Sequence, residues 1–130
     1  MIEGGKDINR FWLAAGATNG FIAVAMGAFA AHGLQDRLAP AALDWVHTAS
    51  TYEMWHALAL IVVTGLRRNK AVKIAGWGFF AGCVLFSGSL YLLALTGWHG
   101  FAFVTPLGGI AFLLGWAGLA WYAIVSSRQT

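Results

Sequence analysis

Long stretches of the chain carry no formal charge, and their lengths match what a bilayer requires. Phe11 to Ala31 is uncharged between Arg10 and His32, Ile74 to Leu95 is uncharged, and Phe101 to Val125 ends before Arg128. A helix needs about 20 mostly apolar residues to cross a hydrocarbon core of about 30 Å, so each run predicts a membrane helix. The remaining candidate is less clean. Met54 to Leu66 is apolar but too short, so this helix must extend back through Glu53 towards Pro40. Proline suits the first turn of a helix, and Asp44 near that start suits the positive end of the dipole. A helix from Ala41 to Leu66 would measure roughly 39 Å, enough to project beyond the hydrocarbon. Thr105 and Pro106 read as N-cap and first residue, which predicts Pro106 to Val125 as the regular part of the fourth helix.

The pattern predicts an all-α integral membrane four-helix bundle, one four-span domain over residues 1–130. The first span exceeds the roughly 7–15 residues of a signal-peptide core, which favours a retained helix. His32 to Pro40 reads as a short mixed-charge connection, Lys70 to Lys73 as a tight turn, and Thr96 to Val104 as an aromatic interfacial segment. No linker or fixed-period repeat interrupts them.

Composition agrees. Hydrophobic residues make up 59% and charged residues 10%, against roughly 25% charge in soluble domains. An ordinary soluble domain, a nucleic-acid module and a disordered segment are thereby excluded. The lone Cys83 excludes an intramolecular disulfide and a CxxC pair.

Charge placement adds orientation. With four crossings, Lys6, Arg10, Arg67, Arg68, Lys70, Lys73 and Arg128 share one side, and Arg37 stands alone opposite: seven and one, the full eight Lys and Arg. The positive-inside rule predicts both termini in the cytoplasm. The net charge of +3 then reads as an orientation signal, with no nucleic-acid partner implied.

Lipid tails are as apolar as leucine, so membrane helices associate through small residues that permit close approach. Gly16, Gly20, Ala23, Gly27 and Ala31 recur at three- and four-residue spacing on the first helix. Gly78 and Gly82 do so on the third, and Ala111, Gly115 and Gly118 on the fourth. Tight packing explains them more simply than a glycine-lined pore. Trp12, Trp45, Trp98, Trp121 and Tyr122 fall near span ends, as an aromatic belt would have them.

Ionisable groups inside a membrane segment cost several kcal/mol and mark candidate sites. Glu53 is the outstanding one. At about 100° per residue, Ala49, Tyr52, Glu53 and His56 share a face of the second helix. Counted along the helix axis, Glu53 lies about 21 Å and His56 about 16 Å from the basic boundary. Ser87, Ser89 and Asn19 come to about 21, 24 and 14 Å, with Tyr91, Thr105 and His32 higher still. These residues form a candidate polar pocket on facing helices. Glu53 either pins helix register through a hydrogen bond to His56, Asn19, Ser87 or Ser89, or works with His56 as a proton-accepting pair.

Other chemistries fit poorly. Glu53-x-x-His56 matches half of a di-metal motif, but the other helices carry no internal carboxylate. The histidines do not pair at matching depth for haem, and no nucleophile elbow surrounds Ser87. No metal, cofactor or catalytic residue is expected.

Four blocks carry a family resemblance: GAFAAHGL at 27–34, Tyr52-x-x-x-His56-Ala57-Leu58-Ala59, LFSGSLY at 85–91, and TPLGG at 105–109. Together they make the chain resemble the domain-of-unknown-function 423 family of YgdD-like small inner-membrane proteins. Ala30 stands where the family pattern has glycine, and Glu53 where it often has glutamine. The resemblance implies a four-helix protein of the bacterial inner (plasma) membrane with no established activity. It shifts weight from Glu53 to His32, Tyr52, His56, Ser87, Ser89 and Tyr91.

The leading expectation is a binding or accessory component whose polar pocket takes a lipid, quinone or other small amphiphile, and a glycine face left exposed by a four-helix unit would favour a homo-oligomer. The alternative is a minimal proton-coupled transporter working as an oligomer. A membrane enzyme has no recognisable catalytic set.

Overall fold

The computed structural model describes the backbone of residues 2–127 and the side chains of residues 9–126. Lys6 and Arg128 of the basic set therefore fall outside the described side chains. Four helices form the bundle: the first Ile2–His32, the second Pro40–Thr64, the third Lys70–Thr96 and the fourth Thr105–Ser127. The first begins well before Phe11 and continues through Arg10, because charge marks where a helix leaves the hydrocarbon, not where its hydrogen bonds end. Lys70 opens the third helix instead of lying in a turn; the turn is the preceding segment, and the Asn69 side chain caps the helix by accepting from Val72 N at 2.9 Å. Thr105 is the first residue of the fourth helix instead of its cap: Val104 accepts the first backbone bonds, which leaves the threonine hydroxyl for other partners.

The third helix ends at Gly97, whose φ of 74° is left-handed. Its N–H donates to Leu93 O at 2.9 Å, closing the helix in a conformation that favours glycine. A short 3₁₀ turn, His99–Phe103, then leads to the fourth helix.

Among the described residues, three helical segments are long and apolar enough to cross a membrane: Asn9–His32, Lys70–Thr96 and His99–Ser126. The second helix has 25 residues, enough length, but carries Asp44, Glu53 and several hydroxyl residues. Its position accounts for this composition. The first helix packs along one side of it and the third along another, so Ser50, Glu53 and His56 are buried against protein, while Asp44, Thr48 and Thr51 stay exposed.

Small residues set these contacts. A Cβ at Gly78 would lie 2.6 Å from Gly115 N, and one at Gly16 would lie 2.9 Å from Ala57 O. Gly82 and Gly115 accept the rings of Phe112 and Phe79, Gly27 faces Ser50, and Gly20 is looser, with Ala57 Cβ at 3.9 Å. Trp12 departs from the expected belt. It is 1% exposed and seated against Gly76, edge-on to Trp77, with no hydrogen-bond partner for its Nε1.

The interior consists of two apolar cores. One gathers Trp12, Leu60, Val63, Val72 and Phe79; the other gathers Ala30, Val46, Ala49, Leu90 and Leu93. In every helix that contributes to both, the polar residues fall between them: Asn19 on the first, Ser50, Glu53 and His56 on the second, Ser87 and Ser89 on the third. The polar layer is a mid-bundle stratum.

Candidate functional site

The third helix passes this stratum in a five-residue π-helical turn, Cys83–Ser87, in which Gly88 N–H donates to Cys83 O. Phe79, Cys83, Ser87 and Tyr91 are all buried at steps of four. Four residues of α-helix advance about 400°, overshooting one turn by about 40°. A wider i→i+5 turn absorbs that drift, so the stripe keeps facing the second helix.

Two contacts result. The Tyr91 hydroxyl donates to Glu53 Oε1 at 2.7 Å, and Ser87 Oγ donates to Ala49 O at 2.8 Å. Ala49 has no side chain beyond Cβ, which lets the two helices approach there. Glu53 is 3% exposed, so its carboxyl group contacts protein and not lipid.

His56 takes different partners. Trp116 Nε1 donates to His56 Nε2 at 3.0 Å, and His56 Nδ1 lies 2.6 Å from Tyr52 O. An indole N–H can only donate, so Nε2 accepts and Nδ1 carries the proton given to the carbonyl. Both ring nitrogens are thus engaged, and neither is bonded to Glu53. The ring stacks on Phe112 at 3.6 Å between centroids and 12° between planes.

Around His56 a cleft of about 260 Å³ opens on the outer surface of the bundle, between the second, third and fourth helices. Its walls include Tyr52, Trp55, Phe86, Phe112 and Trp116, with Gly109 in the wall of the fourth helix. A Cβ at Gly109 would meet nothing within 4 Å, whereas neighbouring Gly108 abuts the backbone of Phe86 in the π turn. The glycine pair thus does two jobs: one closes the helix contact and the other leaves the cleft open.

The expected pocket residues separate into groups. Glu53 and Tyr91 meet inside the bundle, and Ser87 bridges beside them. Ser89 Oγ and Thr105 Oγ1 lie 2.6 Å apart and tie the third helix to the fourth. Tyr52 and His56 border the cleft. Asn19 donates to Ala15 O of its own helix at 2.8 Å, and His32 is exposed at the end of the first helix. The cleft residues of the fourth helix were missed by sequence reasoning. Trp116 offered a signal, since it lies in mid-span where an indole N–H needs a protein acceptor, away from the ends where tryptophan normally resides.

The blocks that carried the resemblance meet at this stratum: Gly27 against Ser50, Tyr52 and His56 beside the LFSGSLY segment, and Gly108 of TPLGG against Phe86. A family described as "Protein of unknown function (DUF423)" matches residues 26–109. The chain belongs to this family. It is 43% identical over 127 residues to the UPF0382 inner membrane protein YgdD of Escherichia coli (strain K12), covering 93% of this chain and 95% of the relative. It is 44% identical over 111 residues to the UPF0382 membrane protein YwdK of Bacillus subtilis (strain 168), covering 82% and 90%. A UPF0382 membrane protein of Haemophilus influenzae is 44% identical over 107 residues, covering 81% and 86%. No solved structure matches the chain significantly. DUF423 membership and the apolar helices together make this a helical membrane protein. The Glu53–Tyr91, Ser87–Ala49 and Ser89–Thr105 contacts lie within the DUF423 match, whereas Phe112 and Trp116 lie just beyond it.

Proposed function

We propose that this protein is a binding or accessory component of the bacterial inner membrane, with both termini cytoplasmic, that takes a small amphiphile such as a quinone or lipid into the lateral cleft. The observation that carries this reading is the cleft itself. It opens where a bilayer would lie and is walled by aromatic rings, and Gly109 leaves its interior unfilled. Ligand sites of this kind are mostly apolar with a few placed polar groups. His56 is already committed to Trp116 and Tyr52, so the Tyr52 hydroxyl is the polar handle for a head group at the rim. The near-parallel rings of Tyr52, His56 and Phe112 favour a flat head group, with its chain running out along the lipid-facing surface. The sevenfold excess of basic residues on one side supports the orientation.

Gly109→Leu tests the cleft, because the new side chain would project into it without meeting a packed neighbour. In nanodiscs, a short-chain ubiquinone analogue should quench wild-type tryptophan emission saturably, as Trp55 and Trp116 form part of the wall. A spin-labelled stearate serves as the lipid comparison. The Gly109→Leu protein should lose saturable quenching while melting no lower than wild type. Identical quenching curves for the two proteins would overturn the reading.

A further inference from the structure

The basic end of the bundle holds a second cavity, remote from the aromatic cleft. The turn between the second and third helices is fixed at both sides: Arg67 N–H donates to the Tyr122 hydroxyl at 3.0 Å, and Asn69 caps the third helix. Against this turn lies an open cup of about 450 Å³ lined by Arg68, Asn69, Lys70 and Lys73. The described carboxylates lie elsewhere, Asp36 and Asp44 towards the other end and Glu53 inside the bundle; Glu3 and Asp7 fall outside the described side chains. Three cations on a rigid turn make a site for an anionic oxygen cluster such as a phosphate.

The surface above the cup says which phosphate. Lys70, Lys73, Ile74 and Trp77 follow at i, i+3, i+4 and i+7, so they form one face of the third helix. That face is exposed along its length and changes from cationic to apolar within about two turns: Ile74 is 37% and Trp77 52% exposed. Phe11 of the first helix, 41% exposed, lies 5.6 Å from Trp77 and 5.4 Å from Phe80 between ring centroids. A cationic cup therefore continues, in register, into an exposed aromatic surface shared by the first and third helices. This is the order of groups along a phospholipid, phosphate first and acyl chain after. Free phosphate would use the cup and leave the aromatic surface idle.

We propose that the cup and the aromatic surface beside it form a binding site for an anionic phospholipid, its phosphodiester held by Arg68, Lys70 and Lys73 and its acyl chain against Trp77 and Phe11. The test is native mass spectrometry of protein released from nanodiscs containing equal phosphatidylglycerol and phosphatidylcholine of matched chains. Wild type should retain phosphatidylglycerol preferentially. Each basic residue near such a surface contributes about fivefold in affinity, so Arg68→Gln/Lys70→Gln/Lys73→Gln should lower retention roughly a hundredfold. The exposed Arg37→Gln at the opposite end should leave it unchanged. Trp77→Ala, with every cation present, should weaken phosphatidylglycerol retention as well. Lys73→Gln alone gives a graded loss if the triple variant unfolds. Equal retention of the two lipids by wild type, or undiminished retention by the neutralised variants, would overturn the proposal. Displacement of the lipid by millimolar inorganic phosphate, with no effect of Trp77→Ala, would overturn the lipid as ligand and leave a simple phosphate cup.

Discussion

The Tyr91 hydroxyl and Glu53 Oε1 meet at 2.7 Å across the second and third helices, 38 residues apart in sequence. This bond gives a buried carboxyl group a protein partner in the middle of the bundle. Removing one partner of a buried hydrogen bond costs about 1–3 kcal/mol, since the survivor keeps its desolvation penalty. Tyr91→Phe is therefore expected to destabilise the protein by that amount in thermal unfolding in nanodiscs. Glu53→Gln keeps an acceptor oxygen and should cost less than about 1 kcal/mol. Equal losses in the two variants would show that the carboxyl group matters for more than this bond.

His56 is held in a single tautomer. Its contacts with Trp116 and Tyr52 place the proton on Nδ1 and leave Nε2 as acceptor. Nitrogen-15 NMR of the imidazole should show that tautomer in the wild type. Trp116→Phe should remove the signature of the accepted bond and lower stability by about 1 kcal/mol. An Nε2-protonated ring in the wild type would contradict the arrangement.

The neighbouring glycines of the fourth helix should respond oppositely to alanine. A Cβ at Gly108 would press on the backbone of Phe86, which cannot move aside as a side-chain tip could. Overpacking of this kind costs typically about 1–3 kcal/mol. At Gly109 the space is open, and alanine gains up to about 1 kcal/mol in helix propensity. Melting temperatures of the two variants should lie on opposite sides of wild type, or Gly109→Ala at wild type.

Orientation can be read directly. A reporter fused after Thr130 should give a cytoplasmic signal, and one inserted in the loop between the first and second helices, near Arg37, a periplasmic one. The reverse pattern would refute the charge argument.

Much of the fold is legible in the chain. The uncharged runs locate three of the helices, and Pro40 locates the start of the second. Gly78 and Gly115, picked out by spacing alone, prove to face each other. Trp12 was misplaced because its sequence position near a span end says nothing about which neighbour faces it; Gly76, distant in sequence, makes the space that buries it.

Most of the polar stratum was legible as mid-span residues, but not as pairs, and His32 at a helix end and Asn19 bonded within its own helix stand apart from those pairs. Glu53 and His56 share a helix and are close in sequence, yet one turns to Tyr91 and the other to Trp116. The π turn at Cys83–Ser87, which aims Ser87 and Tyr91 at the second helix, has no signature that apolar periodicity could reveal.

Sequence by itself determined the helical membrane architecture, the asymmetry of basic charge and the depth of the polar groups. These follow from local properties, since hydropathy and charge act residue by residue and helix rise converts position into height. Tertiary structure decided which polar groups pair, which helix occupies the centre and where the surface stays open. Those outcomes depend on rotation and register between helices, where a shift of one residue turns a side chain by about 100° and exchanges its partner.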